Sequence, residues 1–180
     1  MEQNRYEFAF ERYLRAIGRP FISNRQERRF ALNDGTTLKN FDCLVTSRGG
    51  INWIVDVKGR RFPGGTTSPK YWKNWITEDD LTGLIRWEGI LSGDGSQYLD
   101  RSLFVFAYHV LGSQSPIASE RLFRYRDAYY AFLAVPLSLY LEEAKFISPR
   151  WHTYEVPTRR FQQIATPVDE FFKYDGQLVF

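Results

Sequence analysis

Ile51-Asn-Trp-Ile-Val-Asp-Val-Lys58 is an apolar, β-branched run that carries one acid and one base two positions apart. Side chains alternate along a strand, so Asp56 and Lys58 share one face while Val55 and Val57 take the other. A sheet interior rejects a carboxylate and an ammonium unless each is compensated. The run therefore predicts a buried strand over about 51–58 with a polar face set apart for chemistry.

Upstream, Arg48-Gly49-Gly50 is a turn signal, and 40–47 is a second strand that carries Asp42 inside Phe41-Asp-Cys-Leu-Val45. The two strands read as a hairpin. A further short strand is expected at about 28–33, closed by Asn33-Asp34-Gly35. Before it, Phe10, Tyr13, Leu14 and Ile17 recur at helical spacing, with Tyr6 one turn earlier, which predicts a helix over 5–17. Gly18 and Pro20 end it. At about 100° per residue, Glu7 falls on the edge of the apolar stripe beside Leu14, and Glu11 turns farther toward solvent.

Downstream, 59–77 reads as a long loop. Gly59, Pro63, Gly64, Gly65 and Pro69 interrupt it, and Arg60, Arg61, Lys70 and Lys73 alternate with Trp72 and Trp75. Cations for a phosphate backbone and rings for bases make those four basic residues candidate nucleic-acid contacts. A surface loop with both Trp tucked onto the core fits equally well. Thr77 is a candidate N-cap for a helix reaching about Leu91 and burying Leu81, Leu84, Ile85 and Leu91. Two strands (102–111 and 128–135) and a short helix (136–145) follow. Beyond 145 the pattern supports only loops and short elements.

The 180 residues fit one domain, with a core of about 5–135 and an irregular C-terminal extension over 136–180. Hydrophobic residues make up 43% of the chain, which predicts a folded protein. A net charge of +3 and a pI of about 9.0 permit a polyanionic partner. Cys43 is the single cysteine, so an intrachain disulfide is excluded; with only His109 and His152 beside it, so is a structural zinc site of the usual kinds. No signal-peptide core and no stretch of about 18 apolar residues is visible, so a soluble, cytoplasmic protein with no membrane partner is expected.

Asp42 and Asp56 would come from neighbouring strands as a hard, oxygen-donor pair of the kind Mg²⁺ takes, with Mn²⁺ as a substitute. The backbone carbonyl of Val57 offers a third oxygen. Lys58 would orient a water or neutralise charge developing on a phosphodiester, and Glu7 would reach the same site from the helix. Read one at a time, these residues have plainer explanations. Asp56 and Lys58 fit an exposed ladder at a sheet edge, and Glu11 fits a helical pair with Arg15.

An acid on the first helix (Glu7), Asp42 on the next strand and Asp56-Val57-Lys58 on the one after resemble the PD-(D/E)xK nuclease superfamily, which includes Holliday-junction resolvases and many restriction endonucleases. Arg5-Tyr6-Glu7-Phe8-Ala9-Phe10-Glu11 is similar to the signature of the HYExAFE family of uncharacterised bacterial proteins, although Arg5 replaces its leading His. The resemblance covers about residues 5–110. It implies an α/β, restriction endonuclease-like fold, with an α-β-β-β-α-β core and a mixed central sheet flanked by helices. It further implies a divalent-metal-dependent nuclease acting on DNA through Glu7, Asp42, Asp56 and Lys58, with Asp42, Asp56 and Val57 holding the metal, and a homodimer as the assembly. The competing expectation is a catalytically silent domain of the same fold that binds nucleic acid or another protein.

Overall fold

The computed structural model describes residues 3–24, 30–31, 33–92 and 101–173. Helix α1 (Gln3–Ala16) leads to strands β1 (Phe21–Ser23), β2 (Phe30–Ala31), β3 (Thr37–Leu38), β4 (Cys43–Thr46), β5 (Asn52–Phe62) and β6 (Ile76–Thr77). Helix α2 (Glu78–Ser92) and β7 (Ser102–Val110) follow, then β8 (Phe123–Tyr125), β9 (Ala128–Pro136) and α3 (Leu137–Glu143). The chain continues through β10 (Lys145–Ser148), β11 (Thr153–Glu155), α4 (Thr158–Ile164), β12 (Thr166–Pro167) and α5 (Asp169–Phe172).

The fold is mixed α/β. The main sheet runs β1-β4-β5-β7-β9-β12, with β8 also paired to β9. Among the described residues, only β5 and β7 are parallel within it, and α2 lies in the connection between them, as a parallel pair requires a crossover. Strands β7 and β9 are covered on both faces and are apolar along most of their length, and β5 is buried on both faces over residues 54–57. On one face, Ala9, Phe10 and Leu14 of α1 pack with Val55, Val57, Val105 and Phe132, and Phe172 of α5 closes the layer. On the other, Leu81, Leu84 and Trp87 of α2 join Ile54, Phe104, Phe106, Tyr140 of α3 and Phe161 of α4. Each fully buried Val, Leu, Ile or Phe among these contributes about 1.5–3 kcal/mol relative to exposure.

The expected hairpin is present: Cys43–Thr46 pairs antiparallel with Asn52–Val55. The helix expected at 5–17 is α1, and its predicted stripe faces the core. Three points of the strand reading need correction. The strand beside β4 is β1, starting directly after the Gly18–Pro20 break, with Phe21 opposite Val45. The strand expected at 28–33 lies partly outside the described residues, and its described part, Phe30–Ala31, pairs only with Thr37–Leu38. Strand β5 continues past Lys58 to Phe62, because Gly59–Phe62 find partners in Ala107–Val110 of β7. A strand already templated by a parallel neighbour tolerates a glycine that, read alone, marks a stop.

In α2, Leu81 and Leu84 are buried as expected, whereas Ile85 is 43% and Leu91 51% exposed. The buried arc instead runs through Asp80, Gly83, Trp87 and Glu88. Trp87 sets this rotation by packing edge-on against Phe41 and donating its indole N–H to the Lys39 carbonyl at 2.9 Å. The helix begins with Thr77 as expected: Thr77 Oγ1 accepts from the Asp80 amide, and Asp80 Oδ2 accepts from the Thr77 amide at 2.9 Å. This is a reciprocal capping box.

The short elements beyond 145 belong to the same packed body. Strand β11 lies between β10 and β6, and β12 pairs with β9. Asn74, fully buried, donates to the Val156 carbonyl at 2.9 Å and accepts from the Val156 amide at 2.8 Å. The Tyr140 hydroxyl donates to the Asn74 carbonyl at 2.8 Å. These bonds satisfy loop backbone that would otherwise be buried unpaired, and they fasten the segment after β5 to the C-terminal elements.

Candidate active site

Strand β4 is shorter than β5, and the difference creates the site. The last backbone bond between them runs from the Asp42 amide to the Val55 carbonyl at 3.0 Å. One rung farther along, the Val57 amide has no β4 backbone to meet. Its hydrogen goes to Asp42 Oδ2, at 2.5 Å. Asp42 thus ends the ladder with its side chain and is held at 7% exposure. A strand residue that sends its N–H toward one neighbour sends its C=O the same way, so the Val57 carbonyl also points toward the notch where β4 leaves off.

Asp56, on the α2 face of β5, is 5% exposed. Its Oδ1 accepts from Lys58 Nζ at 2.8 Å, and the same ammonium reaches Asp80 Oδ1 at 3.0 Å. Asp80 also accepts from Lys39. A continuous chain therefore runs Asp56–Lys58–Asp80–Lys39, from the sheet interior to a lysine that is 41% exposed. Asp80 was legible only as a first-turn helix residue; its contact with Lys58 has no signature in the spacing.

Glu7 approaches from α1. Gly59 allows this: a Cβ there would lie inside the space taken by the Tyr6 ring, so α1 rests directly on β5 beside Lys58. Burial raises the Glu7 carboxyl to about 7, the Asp56 charge adds to the rise, and Lys58 opposes it. Glu11 is engaged elsewhere, accepting from the Ser23 hydroxyl and pairing with Arg15 at 3.8 Å.

The acids outnumber the bases. Burial raises Asp56, Lys58 pulls it back, and the charges of Asp42 and Asp80 push it up again. For Lys58, burial works against the ammonium, but Asp56, Asp80 and Asp42 overcome it and hold the charge firmly in place. Asp80 is the reverse case: burial opposes its charge, and Lys58 and Lys39 hold it well below the usual carboxylate range. Glu7, Asp42, Asp56 and Asp80 thus face Lys58 and Lys39, with Arg60 also within electrostatic reach of Asp80, and the raised Glu7 and Asp56 carboxyls are the groups whose ionisation a cation would favour.

Among the described residues, no three His, Cys, Asp or Glu side chains form a ready metal-binding group. The donors to hand are two carboxylates and one carbonyl. An all-oxygen set of that size fits Mg²⁺, which keeps most of its waters, better than Zn²⁺, which selects nitrogen and sulfur.

The four basic residues of 59–77 differ in their surroundings. The Arg60 guanidinium stacks on the Trp75 ring at 4.1 Å and donates to the Gly59 and Trp75 carbonyls. Arg61 and Lys70 are exposed. Lys73 lies along Gly64. Trp72 packs edge-on against Phe62, Tyr108 and Phe161, so this ring belongs to the core, while Trp75 remains 39% exposed under Arg60. Arg5, at the position where the signature has His, pairs with Asp127 at 3.1 Å. Cys43 is buried with its thiol pushed up by burial, as expected of a packing residue. Among the described residues, no helix is long and apolar enough to cross a membrane.

No family model matches this chain, and neither a curated protein nor a solved structure matches it.

Proposed function

We propose that this protein is a divalent-metal-dependent nuclease with a restriction endonuclease-like PD-(D/E)xK core, hydrolysing DNA phosphodiesters. What carries the reading is the notch at the end of β4, where Asp42 and Asp56 are buried beside Lys58 and within electrostatic reach of Glu7. Charges are expensive in such a place unless they serve a partner. Asp42, Asp56 and the Val57 carbonyl would hold Mg²⁺, or Mn²⁺ in its place. When bound, the ion supplies Lewis-acid activation of water and of the phosphoryl group.

The chain's own groups do the rest. Lys58 stays protonated among its acids and offers a fixed positive charge to a phosphate oxygen as negative charge builds there. Glu7, raised to about 7, is poised to take a proton from an incoming water near neutral pH. Asp42, by accepting from the Val57 amide, holds β5 in place where the Val57 carbonyl would face the notch.

The test is cleavage of plasmid and branched DNA with Mg²⁺ or Mn²⁺, comparing wild type with Asp56→Ala and Lys58→Ala. Loss of cleavage in both variants, with unchanged circular dichroism, supports the assignment. Equal rates in all three reject it. Binding of DNA without cleavage by the wild type, whichever ion is supplied, points instead to a silent binding domain.

A further inference from the structure

We infer that the groove between the Thr37–Lys39 segment and α2 seats the sugar-phosphate backbone of a nucleic-acid strand, with Lys39 and Arg86 as its phosphate-binding cations. This inference rests on the nuclease reading and gives the substrate a path into the site. The groove has a volume of about 320 Å³, and Thr37, Lys39, Thr82, Gly83 and Arg86 line it together with Asp79. Lys39, the outer end of the Asp56–Lys58–Asp80–Lys39 chain, is part of that lining, so one ion-pair chain connects the groove with the buried acids.

The groove is rigidly built. Gly83 lets the Lys39 backbone lie against α2, since a Cβ would stand 3.3 Å from the Lys39 carbonyl oxygen. Trp87 holds that same carbonyl from one turn farther along the helix. With its backbone pinned at two points, Lys39 has little freedom beyond its own side chain. Its ammonium now rests on Asp80, which keeps Lys58 as a second partner if Lys39 turns to a phosphate. Arg86 is exposed, and its guanidinium reaches Thr36 Oγ1 at 3.4 Å, a contact readily exchanged for a phosphate oxygen.

Asn40, next to the groove in the chain though not part of its lining, carries an open amide. It follows Lys39 directly and precedes Asp42 by two positions, so it joins groove to notch in the chain. It is 8% exposed, and neither polar atom of its amide has a hydrogen-bond partner among the described residues. A buried amide left open in this way is uncommon and calls for a polar ligand or an ordered water. Asp79 supplies an opposing charge at the groove wall, so binding there is expected to be moderate, and salt-dependent in proportion to the two cations.

The experiment is fluorescence anisotropy with a labelled DNA strand and its duplex in EDTA, over a range of salt concentrations, with the matching RNA as a parallel arm. Arg86→Ala leaves the buried ion-pair chain untouched. It is expected to weaken binding roughly 3- to 10-fold and to lower the salt slope by about 1; Lys39→Ala combined with it lowers the slope by about 2. Asp79→Asn is expected to tighten binding, and Arg124→Ala, an exposed change on β8, to leave it unaltered. Wild-type affinity and slope in Arg86→Ala and in the double variant overturn the groove while leaving the nuclease reading standing. A wild type that neither binds nor cleaves nucleic acid overturns both.

Discussion

Asp42 Oδ2 accepts the hydrogen of the Val57 amide at 2.5 Å, so a side chain completes a ladder that backbone leaves unfinished. The same bond orders an acid and a peptide at one place. Structure and candidate chemistry are therefore separable by substitution. Asp42→Ala leaves a buried N–H unpaired and is expected to cost about 1–3 kcal/mol. Asp42→Asn keeps an acceptor oxygen, and its stability should stay within about 1 kcal/mol of wild type, while metal-dependent cleavage is lost. Urea denaturation beside a cleavage assay checks both. Comparable destabilisation by Asn and Ala would show that the bond needs the charge.

Stability should fall as pH rises through the range between the ordinary and the native Glu7 values. The carboxyl moves from 4.5 to about 7 on folding, so the native state binds more protons than the unfolded state in that window. Nothing is lost below about pH 4.5, the loss accumulates up to about pH 7, and it is constant above. The full shift corresponds to roughly 3 kcal/mol; Glu7 keeps contact with solvent, which reduces this to about 1–2 kcal/mol. Asp56 shifts in the same direction and adds to the trend. Glu7→Gln should flatten the profile of melting temperature against pH, and Mg²⁺ should restore stability mainly at the alkaline end. A profile that Glu7→Gln leaves unchanged would show that Glu7 is not strained.

Gly59→Ala is expected to destabilise the fold by about 1–3 kcal/mol, as overpacking does. The new methyl group competes with the Tyr6 ring for the same space. Combining it with Tyr6→Ala should recover part of the loss, giving a coupling energy of opposite sign to the single effects. Strict additivity in thermal melts would mean that α1 adjusts without strain. Cleavage should drop in Gly59→Ala even where the protein is folded, because Glu7 moves with the helix.

Asp80 joins the helix cap to Lys58, so its substitutions separate the two roles. Asp80→Ala removes the Thr77 cap partner and a shared acid between two lysines. Breaking a buried pair costs about 3–5 kcal/mol; the partly exposed Lys39 and the remaining Asp56 partner lower the expected loss to about 2–4 kcal/mol. Asp80→Asn keeps the cap and loses the charge. It is expected to lower kcat by more than it raises KM, because Lys58 loses one of the two acids in contact with its ammonium. A kcat equal to wild type in Asp80→Asn would confine Asp80 to the cap.

Local periodicity made much of this protein readable. Alternation along 51–58 placed Asp56 and Lys58 on one face, and the helical stripe of Phe10 and Leu14 placed Glu7 at its edge. Both follow from backbone geometry that a few residues impose by themselves. Asp80 stayed hidden because capping accounts for an acid at that position, so its reach to Lys58 leaves no trace in the spacing. Ile85 and Leu91 appear equal to Leu84 along the chain. Only the rotation set by Trp87 against Phe41 and Lys39 decides which of them face the core.

By itself, then, the sequence determined which residues alternate, which segments coil and where acids are set in apolar surroundings, since these depend on neighbours along the chain. The tertiary structure alone decided that β4 stops one rung short of Val57, that Gly59 admits Tyr6, and that Lys58 lies between Asp56 and Asp80. Those outcomes depend on the relative lengths and contacts of elements distant in sequence. Burial then turns their meeting into electrostatics strong enough to hold a proton or invite a cation.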